Sequence, residues 1–231
     1  VGCVSTRETV RLAQKAEAEE VDFLLVATPY YIRPSAEELR EHYAEVCRAV
    51  ALPVLAVSDS EHAGSELTPL VVRHLAHRCE NFAGLVDSSG NLDAVPELVA
   101  LSGERPFVVL AGRDDLILPA LELGCSGAVS AGASVAPRLY VELYRDFEKG
   151  EVHRAARLQA IAESLHMALG LHTFPSAIKE AARLAGLPAG CCRRPVGPVP
   201  AEIRRQLSSV LDRLRQEELL SAPQASMHGA G

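Results

Sequence analysis

The sequence predicts an α/β fold built on parallel strands, and three observations carry that expectation. Five apolar runs recur with little polar alternation, at residues 23–27, 54–57, 82–86, 107–111 and 127–131. A strand that reads as a continuous apolar run is buried on both faces, as in a parallel sheet. Helical patterns fall between these runs, and the spacing shortens from roughly 30 to roughly 20 residues, the scale of successive βα units. After about residue 136 the strand signal stops and the periodicity is helical.

Each element has its own local reason. Ser5-Thr-Arg-Glu8 has capping-box spacing, and Val10, Ala13 and Ala16 follow at helical intervals, which predicts a helix over about residues 6–20. The first strand, 23–27, ends in the turn-like Thr28-Pro-Tyr-Tyr31. A second capping box, Ser35-Ala-Glu-Glu38, opens a helix through Leu39, Tyr43, Val46 and Val50, and the strand 54–57 follows. Thr68 with Pro69 starts the next helix, because proline at the first helical position forfeits an N–H that would be unbonded anyway. Residues 96–101 and 116–123 read as helices around the fourth strand, and 127–131 as the fifth strand. Further helices are predicted over 138–149, 152–171, 177–184 and 201–218. Residues 221–231, small and polar with glycine, read as a disordered tail. The organisation expected is thus a strand-bearing segment 1–136, a helical region 137–220 and a tail 221–231.

Composition bounds the function. With 231 residues, 48% of them apolar, the chain can bury a sizeable core. A formal net charge of -7 argues against nucleic acid as a partner, since backbone binders concentrate Lys and Arg. The sequence has no apolar stretch of membrane-spanning length and no basic segment leading into an export signal, so a cytoplasmic location is expected. Six cysteines without metal or disulfide spacing fit reduced thiols in that compartment. His74 and His77, one helical turn apart near Cys79, lack a dependable further ligand, so no metal site is expected. Cys191-Cys192 reads as a reduced pair, and Asp87-Ser-Ser-Gly90 lacks the frame of a nucleophile elbow.

Five parallel strands suit an open doubly wound sheet or part of an eight-stranded barrel, and no glycine-rich phosphate fingerprint follows any strand. The strand-end motifs carry more information. They are Thr28-Pro-Tyr-Tyr-Ile-Arg-Pro-Ser35, Leu52-Pro-Val-Leu55, Asn81-Phe-Ala-Gly-Leu-Val-Asp-Ser-Ser-Gly-Asn-Leu92, Leu110-Ala-Gly-Arg-Asp114, and Gly127-Ala-Val-Ser130 with Val135-Ala-Pro-Arg138. In this order, over about residues 2–205, they resemble the dihydrodipicolinate synthase/N-acetylneuraminate lyase family, pyruvate-dependent class I aldolases. The resemblance implies a (β/α)8 TIM-barrel type fold with a C-terminal helical extension, in which residues 1–136 supply strands 4 to 8. The first three βα units, with the family's Gly-Thr-Thr loop, are then expected to be absent from this chain.

The resemblance also implies a site. The family's lysine attacks the ketone of pyruvate, and the protonated imine so formed serves as an electron sink for carbon–carbon chemistry. Val86 stands at that lysine's position, and Val57 stands where a tyrosine relays protons. Three lysines are present, Lys15, Lys149 and Lys179, and none falls on a predicted strand. Tyr31 matches the tyrosine that crosses an interface to join a neighbour's relay, and Tyr30 its interface-packing companion. His62 replaces a carboxylate-binding arginine, a fixed bidentate cation, with a group whose charge is conditional. Gly112 and Val129 match positions lining the pyruvate pocket, and Arg113 brings a new positive charge beside it. No cofactor is implied. The partners implied are a small 2-oxo acid such as pyruvate and further copies of this chain or of intact family members. The activity expected is that of a lyase scaffold with its Schiff-base chemistry lost or impaired, or else of a non-catalytic partner subunit.

Overall fold

The structure, a computed structural model, describes residues 1–220; the tail expected at 221–231 lies outside the described residues. The chain divides into two compact units, Val1–Arg113 with Pro119–Val129, and Asp114–Leu118 with the chain from Ser130 onward. The expected organisation draws its boundary near 136, whereas the tertiary contacts group 114–118 with the later residues.

In the first unit five strands form one parallel sheet in the order β1-β2-β3-β4-β5. Helix α1 (Thr6–Ala18) begins where predicted, its first-turn Glu8 N–H donating to the Ser5 hydroxyl. Strand β1 (Leu24–Ala27) leads to α2 (Ala36–Ala49), whose complete capping box joins Ser35 and Glu38 in both directions. Such a box satisfies two of the four N–H groups that every helix start leaves unbonded. β2 (Val54–Ser58) is followed by a short helix absent from the elements predicted above, α3 (Ser60–Ala63), capped by Asp59 and closed by Gly64 at φ 77°. α4 (Pro69–Arg78) carries its proline in the first turn, then come β3 (Phe82–Asp87), α5 (Val95–Ala100) and β4 (Val108–Ala111). α6 (Ile117–Glu122) precedes β5, which is only Gly127–Ala128. The predicted fifth strand, 127–131, is shortened because a 3₁₀ turn starts at Gly132, with the Ser130 hydroxyl accepting from Ala133 N–H.

Two side chains hold the helix layer of this unit. The Asn81 amide is shared among the carbonyls of Cys47, Val50 and Leu52 at 3.0–3.1 Å, tying the end of α2 to the start of β3. Arg105 donates to the carbonyls of Ala76, Cys79 and Glu80, satisfying acceptors left open at the C-terminus of α4. Along the strands the faces alternate. Val26, Ala56, Leu85 and Val109 are fully buried in one row, while in the neighbouring row Ala27, Val57 and Leu110 are only partly buried.

The second unit is helical, as expected for the C-terminal third. It contains α7 (Pro137–Glu148), α8 (Val152–Leu169), α9 (Ser176–Leu184) and α10 (Ala201–Gln216). Its apolar core includes Leu139, Leu143, Leu165, Leu207, Leu211 and Leu214. A polar network accompanies it: Asp114 Oδ2 accepts from Gly132 N–H at 2.8 Å and from the Tyr140 hydroxyl at 3.2 Å. Gln159 accepts from Leu118 N–H at 2.9 Å and donates to the Asp114 carbonyl at 3.2 Å. These bonds explain why residues 114–118 group with the helical unit. Among the described residues no helix is long and apolar enough to cross a membrane.

Candidate active site

In a parallel α/β fold the carboxyl ends of adjacent strands are where loops bring functional side chains together. Here those ends are stitched by backbone bonds. Thr28 donates to Val57, Ser88 to Ser58, Gly112 to Asp87 and Val129 to Ala111, at 3.4, 2.8, 2.7 and 2.8 Å. Residues far apart in sequence are therefore brought to one edge of the sheet.

The register places Val57 directly beside Val86, with Ala27 on one side and Leu110 on the other. The two positions singled out in the sequence are neighbours in one row, and from β1 through β4 that row is aliphatic. Val86 is 2% exposed, Val57 half-buried. Such a row can cover an apolar surface, but it holds no lone pair to attack a carbonyl and no proton to relay. None of the three lysines lies on a strand: Lys15 is in the last turn of α1, Lys149 caps the end of α7, and Lys179 in α9 donates to the Cys191 carbonyl at 2.8 Å.

Polar groups do occur one step beyond the row. Ser58 accepts from Leu67 N–H at 3.1 Å, and Asp87 accepts from Ser89 N–H at 3.0 Å, so both are committed to shaping loops. Burial pushes the Cys125 thiol up to about 11, with the charge of Asp87 adding to the effect. Thr28 is fully buried, and its hydroxyl finds no hydrogen-bond partner among the described residues. No local sequence signal marks Thr28, since a threonine before Pro29 looks like an ordinary turn residue.

The remaining expected positions divide by surroundings. A Cβ on Gly112 would collide with the Ser88 hydroxyl and approach the Asp87 carbonyl to 3.0 Å, so a larger residue here would need the Ser88 side chain to move and the adjoining strand end to give. Val129, at the end of β5, is exposed. His62 lies in α3, where its Nδ1 is 2.8 Å from Asp59 Oδ2, the carboxylate that also caps the helix. Arg113 passes alongside Gly90, its guanidinium 3.3 Å from where a Cβ would sit. Tyr31 is 93% exposed and adopts φ 75°, a left-handed conformation that is costly for a bulky side chain, while Tyr30 beside it is also exposed. Among the described residues no group of three or more His, Cys, Asp or Glu is placed to hold a metal; His77 instead approaches Glu104 at 3.5 Å.

Comparison with known proteins identifies the family and the fold. The model of the dihydrodipicolinate synthetase family matches residues 1–214. A 4-hydroxy-tetrahydrodipicolinate synthase from Methanothrix thermoacetophila is 36% identical over 213 residues, 92% of this chain and 72% of that protein. One from Archaeoglobus fulgidus is 36% identical over 220 residues, covering 95% and 74%. Among solved structures, the synthase of Methylacidiphilum fumariolicum superposes with a TM-score of 0.89 at 30% identity, covering 95% of this chain and 75% of that one. YagE, an Escherichia coli prophage protein of the same family solved in complex with pyruvate, gives 0.86 at 30% identity, covering 94% and 74%. By sequence and by structure alike, this chain belongs to the dihydrodipicolinate synthetase family.

Proposed function

We propose that this chain keeps the family's scaffold and binds small 2-oxo acids such as pyruvate without forming a Schiff base. The observation that carries the reading is the register pair Val57–Val86 inside an unbroken aliphatic row, with every lysine off the strands. On this reading β1–β5 are the family's strands 4 to 8, His62, Gly112 and Val129 border the acid, and Tyr31 keeps the position of the interface relay tyrosine. Six free cysteines support a reducing compartment such as the cytoplasm.

The test is borohydride reduction of the full chain with pyruvate, followed by peptide mass mapping. No covalent adduct is expected. A reduced pyruvate adduct on Lys15, Lys149 or Lys179 would overturn the proposal. Saturable, non-covalent pyruvate binding measured by calorimetry is expected alongside, and its absence would reject the binding half of the reading.

A second reading is favoured by Tyr31 itself. A left-handed, almost wholly exposed tyrosine next to exposed Tyr30 presents two aromatic side chains to solvent, the first on a strained backbone, and aromatic residues are frequent anchors of association. In this reading the chain is a non-catalytic subunit that pairs with intact family members or with itself through these tyrosines. Mixing it with an intact family synthase and measuring mass by light scattering tests this. Association that Tyr31→Ala abolishes is the expected result, and no mixed or self-associated species would reject it.

A further inference from the structure

A cavity of about 410 Å³ opens within the second unit, between α9 and the segment 190–199. That volume falls in the ordinary range of small-molecule pockets, roughly 300–1,000 Å³. Its wall carries the cations Lys179, Arg183 and Arg194 against a single carboxylate, Glu180. The charge is concentrated locally: residues 179–205 contain six basic and two acidic side chains, in a chain whose formal net charge is -7.

The cations are not equally engaged. Glu180 is buried and is shared between Arg183, at 2.8 Å, and Arg204, at 3.2 Å, so the one acid in the wall is already taken. Lys179 meets the Cys191 carbonyl rather than a carboxylate, which fixes its position without neutralising it and leaves two of its N–H groups unassigned. Arg194 is exposed and makes no ion pair with any described residue. Two positive charges therefore face the cavity uncompensated. The wall also includes Val196 and Val199, in a stretch where three prolines restrict the backbone.

We propose that this cavity is a binding site for a small organic anion, whose carboxylate or phosphate is held by Lys179 and Arg194 while its apolar body lies against the 195–199 segment. An apolar wall beside two uncompensated cations selects for both properties in one molecule, because each alone leaves half of the site unsatisfied. The inference does not rest on the strand-end reading, since none of the strand-end residues lines this cavity.

The experiment is calorimetric titration of the full chain with phenyl phosphate, with inorganic phosphate as the anion alone and phenol as the apolar body alone. Phenyl phosphate is expected to bind at one saturable site, at least about tenfold more tightly than either comparator. Arg194→Gln, at an exposed side chain without an ion pair, is expected to fold normally by circular dichroism and to bind about tenfold more weakly. Lys179→Met should weaken binding similarly. Benzoate run in parallel identifies the preferred head group: tighter binding than phenyl phosphate with the same sensitivity to Arg194→Gln supports a carboxylate. Absence of saturable binding by both aromatic anions, binding equalled by phenol, or an affinity unchanged in Arg194→Gln would each overturn the proposal.

Discussion

The strand-end row of the first unit and the polar heart of the second are opposites in chemistry. In the first, Ala27, Val57, Val86 and Leu110 line up across adjacent strands at the level where a fold of this kind assembles reactive groups, and all are aliphatic. In the second, whose described residues form helices and turns, a buried carboxylate at Asp114 gathers a backbone N–H and a tyrosine hydroxyl. A second buried carboxylate, Glu180, gathers two arginines. The difference teaches that a sheet depends on its strand-end row for filling rather than for chemistry. Aliphatic side chains satisfy the packing as well as a lysine and a tyrosine would, and without the cost of burying a charge. The helical unit has no such freedom, because its buried polar groups hold distant turns together.

The largest effect expected follows from that asymmetry. Asp114→Ala leaves Gly132 N–H and the Tyr140 hydroxyl without their shared acceptor and should cost about 3 kcal/mol in urea unfolding. A loss below about 1 kcal/mol would mean that the second unit does not rely on its polar network, and the contrast would fail. At the row itself, Val86→Thr buries a hydroxyl beside aliphatic neighbours and should cost about 1–2 kcal/mol, whereas the same change at half-buried Val57 should stay within about 0.5 kcal/mol. Equal costs at the two positions would show the row to be uniformly buried.

The smallest effect concerns the helix layer, where the first unit keeps its titrating thiols. Cys79 is brought down to about 7, first by a hydrogen bond from Cys47 and then by the charges of Arg78, Arg48 and Arg105. The same hydrogen bond, with burial, pushes the Cys47 thiol up. A thiol lowered on folding adds stability above its ordinary value near 9, and that contribution is lost as pH falls through about 7. Cys47→Ala is expected to shift the alkylation midpoint of Cys79 upward, measured by mass-mapped labelling across pH; an unchanged midpoint would assign the lowering to the arginines alone.

Much of the fold is legible in the sequence because its signals are local. Capping boxes at Ser5 and Ser35 and the proline opening α4 act within one turn of their helices, and all three helices start where these residues place them. The short α3 escapes, since its cap is Asp59 and its stop is Gly64, four residues with no hydrophobic period between them. The site is legible only in part. Val57, Val86, Gly112 and Val129 can be picked out by position in a strand-end motif. The burial of the Thr28 hydroxyl and the close approach of Ser88 and Asp87 to Gly112 depend on residues from other strands, which no local pattern records. Arg105 is a further example, an unremarkable loop arginine by sequence that closes the end of a helix about 25 residues earlier in the chain.

The sequence by itself determined what positions 57 and 86 can offer: a valine carries no amine or phenol in any conformation, and these 231 residues contain three lysines. Only the tertiary structure decided that the two valines are adjacent, that His62 is paired with its own helix cap, and that Lys179 and Arg194 face one cavity. The physical reason is one of range. Composition and propensity act over a turn of chain, whereas register, burial and the sharing of charge are set by residues that meet only once the chain has folded.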